Sequence, residues 1–170
     1  CAGGGSGGSI WLTTGTATGA GSIIANGGAG GDDSTGGGGG AGGRIALYFD
    51  SDNFTGTTTA YGGWGYNDNY AAAGTIYRQN VAQSYGDLIM DNWGHNAPTR
   101  TISSTSPHTV NSFTYSELSS LFTIDSDASF TIQQAGDFTL DIEDGNTITN
   151  NGEFNLYGNS LTLVDPFTNN

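Results

Sequence analysis

The strongest constraint on how this chain can fold is a module that recurs with fixed internal spacing and variable connections. SIWL at 9–12 is followed by ANGG at 25–28, RIAL at 44–47 by AYGG at 60–63, and TIYR at 75–78 by DNWG at 91–94. Ile10 to Ala25, Ile45 to Ala60 and Ile76 to Asp91 are each 15 residues apart, whereas the modules themselves start 35 and then 31 residues apart. Loops tolerate changes of length and strand register does not, so a conserved two-strand unit with elastic connections predicts stacked coils. On this pattern the chain is all-β, a parallel β-solenoid (β-helix). Ile10, Leu12, Ile45, Leu47, Ile76, Phe130, Ile132, Phe138, Leu140, Phe154 and Leu156 are expected to point inward in rows.

The connection at 27–43 is nearly all glycine (GGAGGDDSTGGGGGAGG), and glycine reaches 30 of 170 residues, about two and a half times ordinary usage. Such a run in isolation is a flexible linker. Inside a repeat it reads as an ordered loop pressed against the wall, where glycine permits close backbone approach.

Past residue 98 glycine thins and apolar pairs alternate with polar residues, as in Phe113/Tyr115, Phe122/Ile124 and Phe130/Ile132. This period of two is that of short half-buried strands. Phe122, Phe130 and Phe138 step by eight, with polar turns such as SDAS, QAGD, EDGN and YGN between strands. Three such strands make a turn of about 24 residues. The competing arrangement, an antiparallel sandwich, has its preferred turns at Asp144-Gly145 and Asn151-Gly152. Helical periodicity is lacking, and YSELSSLF at 115–122 offers one turn at most. The chain divides into a glycine-rich repeat part, 1–97, and regular short-strand coils, 98–170, within one continuous domain.

Charge narrows the partners. The chain has no lysine, and Arg44, Arg78 and Arg100 face 16 acids, for a net charge of −13. That balance disfavours nucleic acid and anionic membranes. Aromatic residues at 11% argue against disorder. No stretch approaches the roughly 20 apolar residues of a membrane span. Cys1 stands alone, so no internal disulfide is possible. Followed by glycines and Ser6, it also resembles the start of a mature bacterial lipoprotein.

GGSGGSIWL (4–12), GSIIANGGAG (21–30), GGGGAGGRIALY (37–48), AYGG (60–63) and AGTIYRQNVAQSYGDLIMDN (73–92) together resemble a glycine-rich repeat of very large bacterial and archaeal cell-surface proteins. The remainder is similar to the strand-turn ladders of adhesins and autotransporter-like passengers. The resemblance implies a right-handed parallel β-helix on the cell exterior, and it carries no catalytic residues.

Several constellations bear on chemistry. Asp50/Asp52, Asp125/Asp127 and Asp141/Glu143 are i, i+2 pairs of the kind that polysaccharide hydrolases use. They alternate with apolar residues as solvated strand positions do, and three scattered arginines give little of the cationic clamp a lyase needs. Asp32-Asp33, DSDN at 50–53, DSD at 125–127 and EDGN at 143–146 are oxygen-rich turns that could hold structural calcium, though none completes a known calcium loop. No other cofactor is expected. His95 and His108, 13 residues apart, make a poor transition-metal pair. Tyr61, Trp64, Tyr66 and Tyr70 crowd one glycine-rich loop, where aromatic rings either stack on sugars or cover glycine backbone. Thr57-Thr58-Thr59 resembles ice-binding rows, but no T-x-T ladder recurs, and Asn53-Phe54-Thr55 is a glycosylation sequon.

The resulting expectation is a non-catalytic, extracellular or cell-surface structural and adhesive protein, suited to a subunit or segment of a surface filament or matrix. A polysaccharide lyase or hydrolase and a glycan-binding module are the alternatives. Strand-like sequence near both ends suggests flanking coils in a longer chain or head-to-tail self-association.

Overall fold

The computed structural model describes residues 2–31, 36–96, 100–102, 108–110, 112–118, 121–124, 129–132, 138–140, 147–150, 153–156, 161–163 and 167–170. Among the described residues sixteen strands carry the fold. They are β1 (Ser9–Gly19), β2 (Ser22–Ile24), β3 (Arg44–Phe54), β4 (Thr57–Thr59), β5 (Thr75–Asn80), β6 (Asp87–Asn96), β7 (Arg100–Ile102) and β8 (His108–Val110). β9 (Ser112–Leu118), β10 (Leu121–Ile124), β11 (Ser129–Ile132), β12 (Phe138–Leu140), β13 (Thr147–Asn150), β14 (Glu153–Leu156), β15 (Leu161–Leu163) and β16 (Phe167–Asn169) follow. A 3₁₀ turn, Tyr66–Asp68, lies between β4 and β5.

The repeat sets the register of the largest sheet. Ile10, Ile45 and Ile76 lie side by side on β1, β3 and β5, all parallel. In β3 the alternation is clean: Ile45, Leu47 and Phe49 are buried while Arg44 and Asp50 are exposed. With Ala25, Ala60 and Ile76 they form the core, and Ile10, Ala17, Ile23 and Ile89 pack at its margin. Burying a side chain such as Ile45, 1% exposed, stabilises the fold by about 1.5–3 kcal/mol. Leu12, in the core-facing column, is 41% exposed because β1 is the sheet edge. On the opposite face Trp11, Tyr48 and Tyr77 form a ring ladder with centroids 4.8 and 5.9 Å apart.

The expected right-handed parallel β-helix is corrected by the topology. The strands fall into five small sheets, ordered β1-β3-β5-β6-β9, β16-β13-β10-β7, β14-β11-β8, β12-β15 and β2-β4, and no closed or solenoid sheet is found among the described residues. The largest sheet is mixed, because β5 and β6 pair antiparallel with Ile76 opposite Ile89. A hairpin between neighbouring strands breaks the coil-on-coil order. Its cause is local: Asn80 Oδ1 accepts from Ala82 N–H, Asn80 C=O accepts from Gln83 N–H, and Tyr77 Oη accepts from Gly86 N–H at 2.7 Å. The all-β character stands. Of the stretch read as one possible helical turn, residues 115–118 lie in β9, parallel to β6, and 121–122 in β10.

In the C-terminal sheets the short strands pair parallel, with Phe130 beside Phe154, Ile132 beside Leu156 and Phe138 beside Leu161. Backbone register also aligns Thr101, Thr123, Thr149 and Thr168, a threonine column that sequence inspection missed. The inward orientation expected of Phe130, Ile132, Phe138, Leu140 and Leu156 concerns side chains outside the described residues. The two turns that the competing antiparallel sandwich would use, at 144–145 and 151–152, also lie outside them.

The glycine-rich segments are ordered, but as more than a loop on a wall. Residues 2–8, 25–31, 37–43, 60–66 and 71–74 lie side by side, joined by backbone hydrogen bonds that recur every third residue. Gly4 and Gly7 N–H donate to Gly38 and Ala41 C=O, and Gly37, Gly40 and Gly43 donate to Gly31, Gly28 and Ala25. Gly63 and Tyr66 donate in turn to Gly40 and Gly37. A three-residue period is that of the polyproline-II helix, which has no internal hydrogen bonds, so its buried N–H groups must find partners on neighbouring segments. At its inward positions such packing leaves no room for Cβ. A methyl on Gly40 would collide with the Gly5 carbonyl, and one on Gly63 with the Gly28 carbonyl.

Candidate aromatic binding site

Tyr61 and Trp64 leave the glycine bundle at the outward position of their triplets. Asn26-Gly27-Gly28 and Ala29-Gly30-Gly31 are matched on the neighbouring segment by Tyr61-Gly62-Gly63 and Trp64-Gly65-Tyr66. Gly27 and Gly30 N–H donate to Tyr61 and Trp64 C=O, which fixes that match. Tyr61 and Trp64 thus stand on the surface because the period of three puts them there.

Strand β6 then crosses the end of the bundle. Asn92, 0% exposed, accepts from Gly62 N–H at 2.8 Å and donates Nδ2–H to Ala71 C=O at 3.1 Å. The β6–β9 ladder is irregular between Asp91 and Asn96. Within that bulge Trp93 adopts φ +56 and Gly94 φ +70, and Trp93 N–H donates to Asp91 Oδ1 at 2.8 Å. Left-handed backbone costs a bulky residue about 1–2 kcal/mol, and bulges commonly re-aim a side chain. Here the result is an indole 73% exposed to solvent.

Around it the rings assemble. Tyr61 lies nearly parallel to Trp93 (centroids 6.2 Å, interplanar angle 13°), Tyr70 stacks on His95 (3.6 Å, 4°), and Trp93 meets His95 edge-on (5.8 Å, 86°). The Tyr61 phenol is held above the ordinary tyrosine range, first by burial, then by the Asp91 charge and its hydrogen bond to that carboxylate. The site therefore offers an open indole face, flanking rings and a tyrosine–aspartate pair that can exchange hydrogen bonds with hydroxyl groups.

Of the four aromatic residues singled out by sequence, Tyr61 and Tyr70 come together in this cluster. Trp64 and Tyr66 do not: no ring contact among the described residues includes them. Trp64 Nε1–H donates to Asp68 Oδ1 at 3.1 Å, and the Tyr66 ring lies over Gly36, leaving no space for a Cβ there. Both serve the turn at 64–69, where Asn67 and Asp68 are left-handed. Trp93 and His95 were missed as partners. Their signal was a tryptophan standing where the two preceding modules have Gly27 and Gly62.

Among the other candidates, Asp52 pairs with Arg78 and Asp50 is exposed on β3. The pairs at 125/127 and 141/143, the turns at 32–33, 125–127 and 143–146, and the His108 side chain lie outside the described residues. Among the described residues no three His, Cys, Asp or Glu side chains converge as a metal site, and no helix is long and apolar enough to cross a membrane. No protein-family model, curated protein or solved structure matches the chain.

Proposed function

We propose that this chain is a non-catalytic, extracellular structural and adhesive module that holds carbohydrate on the aromatic surface formed by Trp93, Tyr61, Tyr70 and His95. One observation carries the reading: Trp93 is kept in a strained left-handed conformation while its indole remains 73% exposed. Strain at an exposed aromatic residue contributes nothing to the core, and such outliers concentrate at binding sites. Aromatic faces pair with the C–H faces of sugar rings, and the Tyr61–Asp91 pair supplies hydroxyl partners at the margin. A net charge of −13 favours neutral over acidic glycans. The resemblance to glycine-rich cell-surface repeats supports an exterior location.

A panel of neutral soluble oligosaccharides measured by titration calorimetry tests this. At least one binds, and Trp93→Ala weakens it about ten- to thirtyfold, the effect of truncating an aromatic anchor. The far-ultraviolet spectrum of the variant stays unchanged. Binding untouched by Trp93→Ala defeats the assignment, and steady turnover of the bound glycan would replace adhesion with enzymatic action.

A further inference from the structure

We propose that Arg44 and the groove around it form a second binding site, which takes an acidic sugar unit by its carboxylate. Arg44 stands on β3, the middle of three parallel strands, with Ser9 of β1 on one side and Thr75 of β5 on the other. Burial alternates along β3, so Arg44, Ala46 and Tyr48 share the face opposite to Ile45, Leu47 and Phe49. Ser6, Ser9, Arg44 and Thr75 line a shallow groove of about 340 Å³, and glycine and alanine make up the rest of its wall. A Cβ at Gly8 would meet nothing within 4 Å, so that side of the groove is open. The site belongs to the middle strand, and a strand added beside β1 would extend this face rather than cover it.

Charge selects the occupant. Cations are scarce in this chain, three arginines and no lysine against 16 acids. Arg78 is paired with Asp52, whereas Arg44 is exposed and has no ion-pair partner among the described residues. The next two rows on its face, Trp11–Ala46–Tyr77 and Thr13–Tyr48–Gln79, contain no acid. Asp50 follows only six residues along β3, about 20 Å away. A guanidinium so placed attracts one anion, and its planar fork fits a carboxylate with two hydrogen bonds. Ser9 and Thr75 stand one strand spacing to either side, about 4.8 Å, where their hydroxyl groups can bond to those of a sugar. One row further on, Tyr48 gathers Trp11 and Tyr77 at centroid distances of 4.8 and 5.9 Å. The Tyr77 hydroxyl is already held by Gln79 and Gly86, so this cluster offers ring faces, which suit the C–H face of a sugar and do nothing for a bare anion. One carboxylate is matched by one arginine, while a polyanion would be opposed by the net charge of −13. The site shares no residue with the Trp93 surface and does not rest on it.

Two matched oligosaccharides, one ending in glucuronate and the other in glucose, test this by titration calorimetry. A Trp93→Ala background confines the measurement to the groove. The glucuronate ligand should bind about tenfold more tightly or better, the effect of hydrogen bonds to a charged group. Arg44→Gln should make the two affinities equal without changing the circular dichroism spectrum, since the side chain is exposed. Arg44→Lys keeps the charge, loses the planar fork and should retain only part of the preference. Tyr48→Ala should weaken both ligands alike and leave their ratio unchanged, because the ring meets the sugar and not its carboxylate. Equal affinities before any change at Arg44 would overturn the proposal, as would a preference that survives Arg44→Gln. Acetate that competes as well as the glucuronate ligand would overturn the sugar as occupant. Should Arg44→Gln fail to fold, Arg44→Lys decides, and an unchanged ratio there overturns the proposal.

Discussion

Asn92 carries more than its size suggests. Its amide replaces a missing backbone partner at the end of the glycine bundle, capping the Gly62 N–H and the Ala71 C=O together. A buried polar group left without its partner costs about 1–3 kcal/mol. Asn92→Ala strands one donor and one acceptor, so a loss of about 2–5 kcal/mol is expected in chemical denaturation. Asn26 offers an internal comparison: its Oδ1 accepts from Tyr61 N–H at 2.8 Å, but the residue is exposed. Water can replace that bond, so Asn26→Ala should cost under about 1 kcal/mol. Equal losses at the two sites would remove the capping role from Asn92. The module alignment had equated Asp91 with Ala25 and Ala60. The buried asparagine beside it was legible only as part of a repeat, because its two partners lie 30 and 21 residues away.

At the scale of elements, legibility followed period. Strands β1, β3 and β5 were readable because the repeat spacing gives their register, and in β3 burial alternates residue by residue. The hairpin to β6 was not, since VAQSYG at 81–86 lacks the Asn-Gly or Asp-Gly pair that announces a tight turn. The glycine segments kept their order in plain view, as x-Gly-Gly triplets, yet a period of three is neither helical nor strand-like. The site was legible by halves for the same reason: Tyr61 and Tyr70 stand out as aromatic residues, while the placement of Trp93 depends on a bulge. A paired test follows from the triplets. Gly38 faces open space, and three residues on, Ala41 already places a methyl at the equivalent outward position, so Gly38→Ala should be neutral or slightly stabilising. At Gly40 a methyl would meet the backbone of residues 4–5, and neither segment can retreat without breaking its hydrogen bonds. Gly40→Ala should cost several kcal/mol, about the range of severe overpacking or worse. Equal melting temperatures for the two variants would show that the bundle is loose.

For the molecule as a whole, the question is which conditions unfold a body with 16 acids and 3 arginines. Two buried-side phenols point to alkali. Tyr61 is raised by burial and by Asp91; Tyr77 is raised chiefly by burial, with Tyr48 and Asp87 adding to it and the hydrogen bond from Gly86 opposing. Both phenols bind their protons more tightly in the folded chain than in the unfolded one, where tyrosine titrates near ~10. Their contribution to stability is therefore complete below the unfolded value and disappears as pH rises through the higher folded values. The new phenolate charges also add to a molecule that is already −13, which works in the same direction. Denaturation at fixed salt should show no tyrosine-linked change up to about pH 9 and a steep loss of stability above about pH 10. Tyr61→Phe with Tyr77→Phe should lower stability at neutral pH, through the hydrogen bonds to Asp91, Gln79 and Gly86, and flatten the alkaline decline. An alkaline slope unchanged by the double substitution would place the responsible groups elsewhere in the chain.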